Sequence, residues 1–338
     1  MRTCALTITP LSPFGTPLKG DTLFGHVCWQ AAEDPALLDG GLERWVGLYP
    51  ERPFAVFSSA FPLLPGEDPL VVLPRPQGHG SKEGGDRRQH FERRKEEKKR
   101  KYLLVPGSLS LARDQAVCAT EAEVFDRFVR AVDRDTARQL RLLPAAARNL
   151  AEACEQSHNT INRLTMTTGT GGPFAPFSHE NFSYLPGLRL VLYVAIDEEA
   201  LDFDRLRLAL ERIGAWGFGR DASTGLGRFR VDGLDEVAWP EWQPAHAACY
   251  TLAPCVPEKR VTARCLATPF TRFGRHGAAL AVAGQPYKNP VVMADEGALL
   301  FMAGPPPARR PYLGTGLAGL SKADQRTIAQ GYALYLPY

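Results

Sequence analysis

The sequence predicts an α+β protein, and three features of the pattern indicate this class. Residues 2–9 and 188–196 have the period-two pattern of β-strands, an amphipathic helix follows each of them, and a glycine-rich loop leads from the second helix into another strand. In chain order the elements are strand, helix, strand, long insertion, strand, helix, glycine loop and strand. This β-α-β-β-α-β order is that of a ferredoxin-like domain interrupted after its second strand.

The first half of this pattern begins with the strand at 2–9. The loop that follows leads to Asp21, which we predict to cap the first helix, and apolar residues then recur at helical spacing over 23–31. Phe24 lies on that apolar side and is expected in the core. Residues 54–64 are rich in Phe, Val and Ala and precede a Pro-Gly pair, so they predict the second strand.

The insertion, at about 66–185, begins with a polar, glycine-rich stretch. Residues 87–101 follow and hold nine basic and three acidic side chains, so this run carries a net charge of +6 against +3 for the whole chain. Two helices are predicted at about 121–142 and 145–156. The basic run is either a solvated helix face with internal ion pairs or a contact surface for a polyanion.

The second half resumes at the strand 188–196. A helical stripe follows over 203–213, Gly214 stands where a C-cap glycine is expected, and a short strand is predicted at 226–231. Residues 239–244, Trp-Pro-Glu-Trp-Gln-Pro, indicate a linker. We therefore predict a first ferredoxin-like domain at 1–238, which contains the insertion, and a second, degenerate one at 245–338 with strand-like pieces at 247–253, 290–302 and 328–336.

Composition limits the class of protein. The chain has 338 residues, of which 44% are hydrophobic, as is ordinary for a globular protein with a sizeable core. No stretch has the ~18 uninterrupted apolar residues of a membrane helix, and Pro10 comes too early for a signal peptide. Seven cysteines without a C-x-x-C pair favour reduced thiols and a cytoplasmic location. No metal or cofactor is predicted, because no known zinc spacing fits His246, Cys249, Cys255 and Cys265.

Five glycines fall among the fifteen residues 214–228, directly after the second helix. Glycines between a helix and a strand let main-chain N–H groups approach a phosphate, and Arg220, Arg228, Ser223 and Thr224 add charge and hydroxyl donors. The spacing fits neither G-x-G-x-x-G nor G-x-x-x-x-G-K-[ST], so the loop indicates an anionic polymer rather than a nucleotide cofactor. The alternative is a glycine-rich connection that carries surface arginines.

Four further blocks accompany the glycine loop. They are L-K-G-D-T-L-F-G-H-V-C-W at 18–29, K-K-R-K-Y-L at 98–103, H-N-T-I-N-R-L-T-M-T-T-G-T-G-G at 158–172 and A-Q-G-Y-A-L-Y-L-P at 329–337. Together these blocks resemble RAMP proteins of CRISPR–Cas systems, and most closely the family of fourth subunits of the type III-A Csm effector complex. The resemblance covers nearly the whole chain in scattered blocks and implies two ferredoxin-like (RRM-like) domains.

The resemblance also implies a non-catalytic role without a cofactor. Such subunits hold the 5′ repeat-derived handle of the CRISPR RNA, dock to the large, Cas-ten-type polymerase-like subunit, adjoin a backbone RAMP subunit of the Csm complex and meet target RNA indirectly. RAMP endonucleases carry their glycine loop near the C-terminus, whereas about 110 residues follow Gly227 here. Asp221 departs from this expectation, because a negative charge within the loop weakens contact with phosphate.

A single-stranded RNA handle is held through phosphate contacts, stacking and hydrogen bonds to bases. The resemblance implies RNA contacts for Lys19, Lys98, Lys99, Lys101, Asn159, Asn162, Arg163, Thr165, Gly217, Gly219, Arg220, Ser223, Thr224, Gly225, Gly227 and Arg228. Trp216 and Phe218 either stack on bases or lie in the core. The polar block at 158–172 is otherwise a loop fixed by asparagine side chains.

Two other functions remain open. A RAMP endoribonuclease that processes precursor CRISPR RNA without metal needs a general base, and His26 and His158 are candidates, although neither has an evident second catalytic partner in the sequence. A protein–protein adaptor would use the glycine loop only for packing.

Overall fold

A computed structural model describes residues 1–77, 95–112, 115–169, 172–282, 284–307 and 310–338. The first ten strands are β1 (Arg2–Pro10), β2 (Ala55–Phe57), β3 (Phe61–Leu64), β4 (Leu70–Pro74), β5 (Tyr102–Pro106), β6 (Val117–Ala119), β7 (Ala151–His158), β8 (Phe177–Tyr184), β9 (Arg189–Ile196) and β10 (Phe229–Glu236). The helices are α1 (Gly20–Glu33), α2 (Leu42–Leu48), α3 (Glu121–Ala131), α4 (Arg134–Arg141) and α5 (Phe203–Trp216), with a further helical turn at 95–99. The protein is therefore α+β, as predicted.

Eight of these strands form one antiparallel sheet. Its spatial order is β10-β1-β9-β3-β4-β5-β6, and β2 also pairs with β9. The predicted strands of the first domain are thus neighbours, and the helices that connect them, α1 and α5, contact each other. The predicted order of strands and helices at the two ends of this region is confirmed.

The second predicted strand, 54–64, is two strands in the structure. Between them the Ser58 amide still donates to Tyr193 O at 2.8 Å, and the Tyr193 amide donates to Ser58 Oγ at 2.8 Å. The Ser59 amide then donates to Leu252 O at 2.8 Å, in the C-terminal part of the chain. The break therefore directs the backbone toward a second sheet, which alternation of apolar residues cannot reveal.

The insertion extends the sheet by β4, β5 and β6. The helix predicted at 121–142 is two helices, because Asp133 caps α4 by accepting bonds from the amides of Asp135 and Thr136. The helix predicted at 145–156 is wrong. Its second half, from Ala151, belongs to β7, which pairs with β8 from Ala151↔Tyr184 to His158↔Phe177, and this pairing overrides the helix-favouring composition of the segment.

The C-terminal part is built of short strands. They are β11 (Cys249–Thr251), β12 (Thr262–Leu266), β13 (Pro269–Arg272), β14 (Val291–Ala294), β15 (Leu299–Met302), β16 (Tyr312–Gly314), β17 (Leu317–Ala318), β18 (Ile328–Ala329) and β19 (Tyr332–Pro337). Five of them form the sheet β12-β15-β11-β19-β16, while β13-β14 and β17-β18 are separate pairs. The described residues after 245 contain no α-helix, so a second ferredoxin-like domain is not confirmed.

One hydrophobic core joins the two predicted domains, since the same buried cluster contains Leu6, Leu192, Tyr250 and Leu334. The junction also has buried polar contacts. Fully buried Gln330 donates from Nε2 to Phe57 O at 2.7 Å and accepts at Oε1 from the Phe57 amide at 2.9 Å. A side-chain amide thus pairs with β2 as a neighbouring strand would.

Two predicted helix boundaries are corrected. Asp21 does not cap α1, which begins at Gly20; its carboxylate accepts bonds from Arg272 Nε and Nη2 at 2.6 and 2.7 Å. Gly214 lies inside α5 rather than after it, and the C-cap is Gly217. None of the helices in the described ranges is long and apolar enough to cross a membrane.

Candidate functional site

The glycine loop, residues 217–228, connects α5 to β10. Gly217, Gly219 and Gly227 have φ values of +112°, +77° and +72°, and a Cβ at these positions would lie 2.5, 2.5 and 2.1 Å from the nearest neighbouring atom. Packing within the protein therefore requires glycine at all three. Gly225 also has a positive φ, +96°, but a Cβ there would meet open space.

Most amides of the loop are already hydrogen-bonded within the protein. They donate from Gly217 to Ile213 O, from Phe218 to Gly227 O, from Gly219 to His26 Nε2, from Arg220 to Thr16 Oγ1, from Gly227 to Pro13 O and from Arg228 to Ser12 Oγ. Phosphate contact by these amides would require the loop to open. RNA contact by the loop stays a prediction.

The loop exposes Ser223, Thr224 and Arg228. Thr224 Oγ1 donates to Asp221 O at 2.8 Å, and the Thr224 amide donates to the same carbonyl at 3.0 Å in a 3₁₀ turn. Arg228 has no ion pair with any residue that the structure describes, so its guanidinium is open to an anion. Phe218, by contrast, is fully buried and belongs to the core.

Arg220 ties the loop to the β7–β8 hairpin. Its Nη2 donates to Glu180 O at 2.5 Å and to Asn181 Oδ1 at 2.9 Å, and its Nε lies 3.3 Å from Asp221 Oδ2. The guanidinium is therefore a bracing group between two segments. Asp221, the negative charge that is unexpected in a phosphate-binding loop, is one of its partners.

The polar block at 159–169 forms the far end of the β7–β8 hairpin. Asn162 closes a tight turn, since its amide donates to Thr167 O at 3.0 Å and its Oδ1 accepts from the Leu164 amide at 2.9 Å. This supports the alternative of a loop fixed by asparagine. Asn159 and Arg163 are exposed, and Thr165 Oγ1 lies 2.9 Å from Thr167 Oγ1.

This turn also has an apolar surface, which was not among the sequence-based predictions. Ile161, Leu164 and Met166 are 54%, 96% and 75% exposed. Polar residues separate them along the chain, and these interspersed apolar residues are the signal in the sequence that could have indicated an apolar turn. We call the glycine loop together with the β7–β8 hairpin and its turn the loop–hairpin surface.

The remaining predicted contacts lie elsewhere. Lys19 Nζ is 2.5 Å from Asp295 Oδ1 and 2.8 Å from Glu296 Oε2, with its side chain 12% exposed, so the ammonium is paired at the junction of the two sheets. Lys98, Lys99 and Lys101 are exposed, and Lys99 pairs with Glu96 at 2.6 Å. Residues 87–94 of the basic run lie outside the described residues.

His26 is a structural acceptor. Its Nε2 accepts a hydrogen bond from the Gly219 amide at 3.1 Å, and burial lowers its pKa to about 4.

Unfolding exposes His26, whose pKa then rises to about 6.5, so the unfolded state binds more protons than the folded state as the pH falls from 6.5 to 4. We expect the free energy of unfolding to drop by about 2 kcal/mol from pH 7 to pH 5 through this residue. Urea titrations should show a smaller drop for His26→Gln, but an unchanged drop for His246→Gln.

Known protein-family profiles and curated protein sequences give no match to the chain.

Solved structures, in contrast, do match the chain. The whole chain aligns with 97% of a chain in a crystal structure of a Csm1–Csm4 cassette in complex with pppApA, at a TM-score of 0.51 and 17% identity. A Csm1–Csm4 cassette in complex with cA4 gives the same coverage and TM-score at 15% identity. A chain of a Csm3–Csm4 subcomplex in the type III-A CRISPR-Cas interference complex aligns over 99% of its length, at a TM-score of 0.52 and 12% identity. At these identities the likeness shows a shared fold.

Proposed function

We propose that the chain is a non-catalytic subunit of a type III CRISPR–Cas effector complex that binds the 5′ handle of the CRISPR RNA. The observation that carries this proposal is the end-to-end match to chains of Csm assemblies, which spans 100% of this chain and 97% to 99% of theirs. Csm4 is the component that the two kinds of assembly have in common. The agreement in length and fold favours the role of that component.

The proposed partners follow from the same assemblies. We expect one surface of the chain to dock to a large polymerase-like subunit and another to adjoin a backbone subunit. The Csm1–Csm4 cassettes and the Csm3–Csm4 subcomplex support two such partners, since each joins Csm4 to a different Csm protein. Target RNA would be met only through the guide.

The loop–hairpin surface is the proposed place for the handle. It presents Arg228 and Arg163 as exposed cations and Ser223, Thr224 and Asn159 as exposed polar groups. The two segments are held together by the bonds from Arg220 to Glu180 and Asn181. A single strand could therefore contact both without either segment having to move.

Replacing Arg228 by alanine tests this assignment. Loss of one phosphate contact should weaken binding of CRISPR RNA about five- to tenfold and reduce the salt slope, d log K/d log [salt], by about 0.7. Fluorescence anisotropy with labelled RNA at several salt concentrations measures both quantities. Arg163→Ala is expected to behave in the same way.

Arg326→Ala is the matched control, because Arg326 is also exposed but pairs with Glu43 and Asp324 in another part of the fold. Binding that is unchanged in both Arg228→Ala and Arg163→Ala would contradict the proposed surface. An equal loss in Arg326→Ala would show a general charge effect instead.

Cleavage of precursor CRISPR RNA is the second candidate function, and one observation favours it. The ring centroids of His158 and His179 are 5.0 Å apart on the hairpin, so His158 has a second imidazole beside it that is not evident from the sequence. Two imidazoles can serve as general base and general acid. A nuclease would cut precursor RNA in the presence of a chelator and lose cutting, but not binding, in His158→Ala.

A further inference from the structure

Three possible metal ligands from three segments converge on the loop–hairpin surface. His158 is the last residue of β7, His179 lies in β8, and Asp221 lies in the glycine loop. One ligand atom from each residue lies within 4.8 Å of the others. Across the described ranges, no other group of three or more His, Cys, Asp or Glu residues is brought together in this way.

The register of the hairpin explains the two histidines. His179 in β8 pairs with Gln156 in β7, and His158 lies two residues after Gln156 in β7. Both histidine side chains therefore lie on one face of the hairpin as diagonal neighbours. The Phe177 ring stacks on His158 with an interplanar angle of 10° and a centroid distance of 5.2 Å. This stacking fixes the plane of the imidazole.

The spacing between His179 and Asp221 fits two ligands of one ion better than it fits a hydrogen bond. Nδ1 of His179 and Oδ2 of Asp221 are 3.3 Å apart. A charge-assisted hydrogen bond is shorter, about 2.7–2.9 Å. Bonds of about 2.0–2.1 Å to a tetrahedral zinc ion place neighbouring ligand atoms roughly 3.3 Å apart.

His158 provides an independent indication. Its Nε2 is buried from solvent and has no hydrogen-bond partner. Buried polar atoms are nearly always satisfied, and an exception calls for an unseen water or ion. A cation bound between His158, His179 and Asp221 would explain why His158 Nε2 has no hydrogen-bond partner.

Arg220 limits the affinity for a cation that we expect of this cluster. Its Nε lies 3.3 Å from Asp221 Oδ2, so a positive charge competes for the carboxylate. The guanidinium is nevertheless held by Glu180 O and Asn181 Oδ1 on its other side. Two imidazoles and one carboxylate suit Zn²⁺ and its neighbours in the first transition row, whereas Mg²⁺ and Ca²⁺ prefer oxygen ligands alone.

We propose that His158, His179 and Asp221 bind one divalent transition-metal ion of the Zn²⁺ class. The ion would fasten the end of the β7–β8 hairpin to the glycine loop and leave a fourth coordination position open. This site does not depend on the RNA-binding role, because all of its ligands belong to this chain.

Metal binding can be measured on the full chain after treatment with a chelator. We expect one Co²⁺ per chain, with the visible absorption of a site of low coordination number, and displacement by Zn²⁺ but not by Mg²⁺. His158→Ala, His179→Ala and Asp221→Asn should each weaken Co²⁺ binding at least about 100-fold. Circular dichroism of the metal-free variants checks that each is folded.

His246→Ala is the matched control, since the His246 Nδ1 accepts a bond from the Gln243 amide and lies outside the cluster. It should bind Co²⁺ as the unaltered chain does. Absence of Co²⁺ binding, binding retained in all three ligand variants, or the near-ultraviolet bands of cobalt–thiolate coordination would each overturn the proposal. The last result would assign the ion to cysteines such as Cys154 or Cys265, which are exposed.

Discussion

Replacing Gly227 by alanine is expected to destabilise the protein by about 3–4 kcal/mol. The added Cβ would lie 2.1 Å from Phe218 O and 2.6 Å from Phe218 N, and φ at this position is +72°. Both obstacles are backbone atoms, so no side chain can move aside. The free energy of unfolding from urea titrations, followed by circular dichroism, measures the loss.

Gly225→Ala is the control for this change. Its φ of +96° imposes a similar backbone strain, but a Cβ would have no atom within 4 Å. We therefore expect a loss of only about 1 kcal/mol. Equal losses in the two variants would show that Gly227 is not held against Phe218 as described.

Replacing Gln330 by methionine is expected to destabilise the protein by about 2–4 kcal/mol. The change keeps the volume but removes both bonds to Phe57, and it leaves the N–H and C=O of that residue unpaired at a fully buried position. Because these bonds connect β2 to the C-terminal part, the transition should also lose cooperativity. Thermal unfolding and urea titration report the two effects.

Gln77→Met serves for comparison. The Gln77 side chain donates from Nε2 to Thr268 Oγ1 at 3.0 Å in an exposed position, so loss of this bond should change the free energy of unfolding by less than about 0.5 kcal/mol. A Gln330→Met variant as stable as Gln77→Met would contradict the junction described above.

The sequence was informative where local pattern and tertiary pairing agree. The strand at 188–196 and the start of the helix at Phe203 were predicted nearly to the residue, because each element has a continuous apolar stripe, whereas the helix ends three residues later than predicted. The helix at 145–156 failed for the opposite reason. Its residues favour a helix, but pairing across the hairpin to 177–184 decides the structure.

The glycine loop shows a different limit. Its glycines predict places where a phosphate could approach the backbone, whereas the close approach at Gly219 is to Thr16 and at Gly227 is to Phe218. A sequence shows that backbone must come near something, but it does not show what that partner is. In the same way, the sequence does not show that His179 lies beside His158 and Asp221.

Binding of the 5′ handle is tested most directly by comparing two RNAs. Equilibrium binding of the full chain should be measured with labelled CRISPR RNA and with the same RNA lacking its 5′ handle, and the bound fractions should then be run on a denaturing gel. A non-catalytic, handle-binding subunit should bind the handle-bearing RNA more tightly and cleave neither RNA. Equal binding of the two RNAs, or cleavage of either one, would contradict this role.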